Sequence, residues 1–207
     1  MSDKAISKID ICNMAIDKIG GQTISSFEDK NVPNAEFCKR WYDNLRIALL
    51  RIHNWNFAKK YITLTPNSET PIINYSYCYD LPTDYIKTVN IFTTTDTLLA
   101  KYDIVGRKLY CNYDGLYMIY ISDIDNISQF DPLFIDTLTI MLAKSLAFKT
   151  NLKSDIKSIL QAEYMSALKM AQYIDNKETP LQMKFIDQYR QTTSDSINLL
   201  IDESIYG

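Results

Sequence analysis

The spacing of apolar residues changes twice along this chain, and that change restricts the fold more than any single motif does. Before Trp55 apolar residues recur at three- and four-residue steps. Between Phe57 and Ser122 they come in short runs rich in Tyr, Ile, Val and Thr, and after Asp131 the longer steps return. A helix presents one face every three or four residues and a strand every two. The order helices, strands, helices therefore predicts an α+β chain, predominantly helical: a helical bundle with an inserted antiparallel β-sheet.

The first helix is expected over 4–19, with Ile6, Ile9, Cys12 or Asn13, Ile16 and Ile19 on one face and Ser2 or Asp3 as its cap. Gly20-Gly21 then reverses the chain. Pro33 opens a second helix over 33–53, since its missing N–H costs nothing in a first turn. Its apolar stripe reads Phe37, Trp41, Leu45, Ala48, Leu49 and Ile52. Asp131-Pro132 starts a third over 132–149 through Phe134, Leu138, Met141, Leu142, Ser145 and Phe148. Ser154 starts a fourth over 154–174 with Ile156, Ile159, Leu160, Tyr164, Leu168, Ala171 and Ile174. The short connection at 150–153 predicts antiparallel packing of these two.

The β insertion is expected over 57–122, in the runs ITLT, SYCYDLP, YIKTVNIF, LLAKYDIV, KLYCNY and LYMIYIS. Pro66-Asn67, Pro82-Thr83, Gly106 and Asp114-Gly115 separate them. An Asp-Gly pair between two strand-like runs predicts a hairpin joining KLYCNY to LYMIYIS. Residues 1–176 thus form one domain, without repeat, low-complexity tract or flexible linker.

The segment 177–207 loses periodicity but stays apolar through Phe185, Ile186, Tyr189, Leu199, Leu200, Ile201, Ile205 and Tyr206. It reads first as an extended C-terminal arm that docks on another chain. Folding back on its own domain and disorder are the alternatives, and SINLLIDESIY suits either a strand added to a neighbour or a helix in a groove.

Composition narrows the function classes. The 22 basic and 25 acidic residues give a formal charge of −3, with no basic patch to grip phosphates. Cys12, Cys38, Cys78 and Cys111 lie far apart, and with one histidine they make no zinc constellation, so buried reduced thiols are expected. The polar start MSDKAISKID carries no signal peptide, and TLTIMLAKSLAF is too short and too charged for a membrane span; a soluble intracellular product is expected.

Catalytic signatures are missing. RIHNWNFAKK holds His53, but neither GxSxG nor an active-site cysteine motif accompanies it, and the nearest acids along the chain, Asp43 and Glu69, stand at no telling spacing. A histidine favoured by the negative end of a helix is the simpler reading. Trp55 and Phe57 then cover the end of the bundle, making His53, Trp55 and Phe57 a structural elbow. The glycines form no phosphate loop, and Asp123 and Asp125 read as turn residues rather than a glycosidase pair. Tyr61, Tyr75, Tyr77, Tyr79, Tyr85, Tyr102, Tyr110, Tyr113, Tyr117 and Tyr120 crowd the strand region with few interleaved cations. That points to packing or protein interfaces over base stacking.

Four stretches, ICNMAIDKIGGQTISSFED, AEFCKRWYDNLRIALLRIHNWNFAKK, YDLPTDYIKTVNIF and FIDTLTIMLAKSLAFKT, together resemble the head-to-tail connector (adaptor) proteins of short-tailed bacteriophages, the tail tubular protein A-like family. The likeness spans roughly 5–175, and its most specific element is the RIHNWNFA corner before a tyrosine-rich sheet. That family's corner often has proline between histidine and tryptophan, where this chain has Asn54. The resemblance implies a structural virion protein without active site or cofactor. It would be made in the host cytoplasm and assembled into a neck ring of about twelve copies beneath the portal protein. A tail nozzle or tube protein lies on the far side, genomic DNA passes as cargo, and no membrane is involved. The alternatives are another neck or tail-completion protein that meets tail components first, and a small hydrolase using His53.

Overall fold

The computed structural model describes residues 6–29, 31–69, 71 and 74–178. It is a mixed α+β structure of four helices and two small antiparallel sheets. The helices are α1 (Lys8–Asp17), α2 (Pro33–Ile52), α3 (Pro132–Lys149) and α4 (Ser154–Glu178). The strands β1 (Lys59–Leu64), β2 (Tyr77–Asp80), β3 (Tyr85–Thr93), β4 (Asp103–Val105), β5 (Lys108–Cys111) and β6 (Leu116–Ser122) all lie between α2 and α3.

The start of α1 falls later than the sequence suggested. Ser7 caps it, its hydroxyl accepting from the Asp10 N–H while the Asp10 carboxylate accepts from the Ser7 N–H, a reciprocal capping box; the expected caps Ser2 and Asp3 lie outside the described residues. Its buried face is Ile11, Cys12, Ala15 and Ile16, and Ile6 is exposed. In α2 the expected stripe holds in part: Phe37 and Leu49 are buried and Leu45 packs against the core, whereas Trp41 is 43% exposed and Ile52 47%. Ala35, Cys38, Tyr42 and Arg46 complete the inward face. A polar Arg46 on the core side disguises part of that face.

Helix α3 is buried nearly all round, from Phe134 to Ala147, and packs against α1, α2 and α4. Asp131 caps it by accepting from the N–H groups of Leu133 and Phe134. Lys144 lies over the Tyr164 ring and Lys157 over the Phe148 ring, so α3 and α4 run antiparallel, as the four-residue connection implied. Helix α4 continues to Glu178, beyond its expected end at 174 and into the first residues assigned to the arm.

The six strand runs form, but the single expected sheet and its Asp-Gly hairpin do not. One sheet has the order β1-β6-β3 and the other β2-β5-β4, so the strands flanking Asp114-Gly115 belong to different sheets. The hairpin that does form joins β4 to β5 across Gly106, whose φ is +62°. Tyr79 of β2 explains the turn at Gly115: its hydroxyl accepts from the Gly115 N–H at 2.9 Å and donates to the Tyr113 carbonyl. Held this way, the turn sends the chain across to the other sheet. The sheets share an apolar layer of Leu64, Ile91, Leu116, Met118 and Tyr120 against Tyr79, Leu81, Leu109 and Cys111. Ile86 and Ile121 join the helical core instead. Strand β6 therefore has apolar neighbours on both faces, which is why LYMIYIS is almost unbroken apolar sequence.

Candidate functional site

The corner between α2 and β1 gathers the most chemistry in the chain. Helix α2 stops at Ile52, and His53 takes up φ −131° and ψ 165°, an extended conformation that is also the one a residue before proline prefers. A single 3₁₀ turn, Asn56–Ala58, then leads into β1.

Trp55 is fully buried, and its indole N–H donates to the Leu49 carbonyl at 2.8 Å. That carbonyl is one of the last four of α2, which have no partner inside the helix. Its ring meets His53 edge-on at 4.9 Å and Phe134 at 5.2 Å. Phe57 contacts Phe134 at 5.0 Å and Phe130 at 5.8 Å. Edge-to-face pairs of this kind add about 1 kcal/mol each beyond area burial. The three elbow residues predicted from sequence, His53, Trp55 and Phe57, are thus brought together against the start of α3.

Sequence reasoning missed Asp175. It sits on α4, 122 positions from His53, and its carboxylate is 3.0 Å from His53 Nε2. Its other oxygen accepts from the Asn56 N–H at 2.9 Å, and its own carbonyl accepts from the Asn56 side-chain amide at 2.6 Å. Only 7% of the Asp175 side chain is exposed. One signal was available: Asp175 shares the buried face of α4 with Leu160, Tyr164 and Ala171. A carboxylate on such a face requires partners, because an unpaired buried charge is costly.

A histidine ordered by a buried aspartate is the base-and-orienter half of a hydrolytic triad. The third member is not joined to it. Among the described residues, no serine, threonine or cysteine side chain bonds His53, whose hydrogen bond goes to Asp175 and whose ring packs on Trp55. Both Asp175 oxygens are engaged in holding the elbow to α4. Asp43 does not approach His53; it accepts from Arg46 Nε at 3.2 Å.

Arg46 makes a second polar tie that the sequence did not disclose. It is 3% exposed, reaches Asp123 at 2.6 Å, and donates to the Ile124 carbonyl, fixing the link between β6 and α3. Asp125 stands 4.0 Å from the Lys8 ammonium, so the two turn aspartates serve ion pairs. Beside Arg46, burial pushes the Tyr42 phenol up from its usual range.

The four cysteines are free and buried. A hydrogen bond with Cys38, reinforced by burial, pushes the Cys12 thiol up. Among the described residues no three His, Cys, Asp or Glu side chains converge as a metal site, and no helix is long and apolar enough to cross a membrane. The arm residues Phe185, Ile186, Tyr189, Leu199, Leu200, Ile201, Ile205 and Tyr206 lie outside the described residues. Of the ten tyrosines in the strand region, Tyr79, Tyr110 and Tyr120 are buried, Tyr75, Tyr77, Tyr85 and Tyr102 are half-buried, and Tyr61, Tyr113 and Tyr117 are exposed at 69%, 52% and 46%.

No known family model matches the chain, and no curated protein matches it.

Proposed function

We propose that the chain is a structural adaptor of a short-tailed bacteriophage virion, about twelve copies forming a closed ring beneath the portal. In this reading the four helices act as a helical bundle and the arm beyond residue 178 reaches the portal protein. The ring continues the DNA channel and meets a tail nozzle or tube protein on its far side.

The observation that carries the reading is the outer side of α4. Ile156, Ile159, Met170, Tyr173 and Ile174 fall on one side of this helix and are 37–64% exposed, while Leu160, Tyr164, Ala171 and Asp175 face the core. Phe148, at the adjoining end of α3, is exposed as well. A helix apolar on both sides suits a subunit with a neighbour on its outer side, and a ring supplies an identical one for every copy. The engagement of His53 by Asp175 supports a structural corner over a catalytic one. The formal charge of −3 suits a channel wall that does not hold passing DNA.

Native mass spectrometry of the purified chain, alone and mixed with the portal protein of the same phage, tests this reading. A ring-sized complex carrying the portal is the expected result. A chain that ignores the portal and binds a tail component first would overturn it in favour of a tail-completion role.

A further inference from the structure

Strand β1 lies at the edge of its sheet, and its outer side carries no partner strand among the described residues from Lys60 to Thr63. Natural edge strands are usually blunted by charge, proline or a bulge, because an open row of N–H and C=O groups recruits another strand. Here Lys60 to Thr63 are all exposed, and the middle of the strand is Tyr61 and Ile62. Beside this edge is a groove of about 400 Å³ lined by Tyr61, Ile62, Phe92, Tyr117 and Ile119, with Asp96 on its rim. The surface offers both the hydrogen bonds and the apolar pocket that strand addition uses.

The chain itself holds a segment that fits. Ile197, Leu199 and Ile201 alternate with Asn198, Leu200 and Asp202, the two-residue period of a strand, and Glu203 follows. The geometry points to residues 197–203 of the same chain adding to β1 as an antiparallel strand, with Ile201 opposite Tyr61, Leu200 opposite Ile62 and Leu199 opposite Thr63. In that register Asp202 faces Lys60 and Glu203 faces Lys59. Lys60 bonds Asp84 yet stays half-exposed, so it has room for a second carboxylate. Opposite charges and apolar pairs across an antiparallel ladder each favour the register. A slip of one residue would turn Leu199 and Ile201 away from the groove.

Position favours the chain's own segment over a second copy. Asp175 is bonded to Asn56, so the last turn of α4 ends beside the start of β1. Residues 179–196 then bridge from Glu178 to Ile197, a tether that reaches up to about 60 Å when extended. A tether of this length holds its segment at an effective concentration on the order of millimolar, well above the micromolar levels at which a second copy competes. Docked there, residues 197–203 cap the open edge and are withheld from other partners until displaced. The inference stands on the β1 edge and does not depend on the adaptor reading.

Disulfide trapping in the full-length chain tests it. The variant Thr63→Cys with Leu199→Cys places thiols at positions opposed in the proposed register, and Thr63→Cys with Leu200→Cys is the slipped control. Under a glutathione redox buffer at micromolar protein, the first pair should close within one chain at least tenfold faster than the control. Circular dichroism before oxidation checks that both variants are folded. Equal rates in the two pairs would overturn the proposal by showing a tail that samples many positions. Predominantly dimeric product from the first pair would overturn it in favour of a second copy as occupant.

Discussion

Residues 53–58 and residues 60–63 are neighbours in sequence, yet they have opposite surroundings. The elbow is closed by its own subunit: Trp55 is fully buried, its N–H ties off α2, and Asp175 holds His53 and Asn56 to α4. A few residues later β1 is open, with Tyr61 69% exposed and a groove at its side. The elbow around His53 ties the end of α2 and the start of β1 to α4. The plain edge strand that follows has no strand paired on its outer side among the described residues.

The largest effect that could break this contrast is expected at Trp55. Trp55→Ala removes a fully buried ring and the cap on the Leu49 carbonyl, and should cost about 3–5 kcal/mol in chemical denaturation. Trp41→Ala is its counterpart on the exposed side of α2, where the ring stacks on Phe37 at 6.0 Å. There a loss of about 1 kcal/mol or less is expected, within the range for surface changes. Equal losses at the two tryptophans would contradict the burial difference.

Asp175→Ala strips partners from His53 and from the Asn56 N–H, and a loss of about 2–3 kcal/mol is expected. Asp175→Asn, which keeps the shape and one acceptor, should lose less. A variant as stable as the parent would mean that the elbow is not held by α4. Gly115→Ala should cost about 1–2 kcal/mol, because φ is +74° there and an added Cβ would lie 2.9 Å from Thr94 Cγ2. A further effect concerns alkaline pH. Burial pushes the Tyr79 and Tyr120 phenols up to about 12, and Asp84 adds to the rise at Tyr120. An unfolded phenol ionises near 10, so above that pH the unfolded chain releases protons first. Stability from these groups is intact below about pH 10 and declines as pH rises towards 12, which denaturation curves across that window would show.

The elements signalled by local chemistry were legible. Pro33 and Asp131-Pro132 fixed the starts of α2 and α3 because a proline or a cap acts within one turn. Six strand runs were also visible. What the sequence hid was pairing at a distance. The Asp-Gly signal promised a hairpin, but the Tyr79 hydroxyl, 36 positions from Gly115, redirected that turn between two sheets. The stripe on α2 was legible at Phe37 and Leu49 but missed Arg46, polar yet buried, its charge met by Asp123 from the far side of the β insertion. Asp175 was invisible as a partner of His53 for the same reason, since 122 residues carry no spacing rule.

The most direct test of the contrast is amide hydrogen exchange in the full-length chain, compared with the variant Leu199→Ser with Ile201→Ser. Equal, slow exchange at Asn56–Ala58 is expected in both proteins, and faster exchange at Tyr61–Thr63 only in the variant. Identical exchange along β1 in the two proteins would contradict an edge completed by the chain's own distant segment. Loss of protection at the elbow in the variant would contradict a corner closed within residues 6–178.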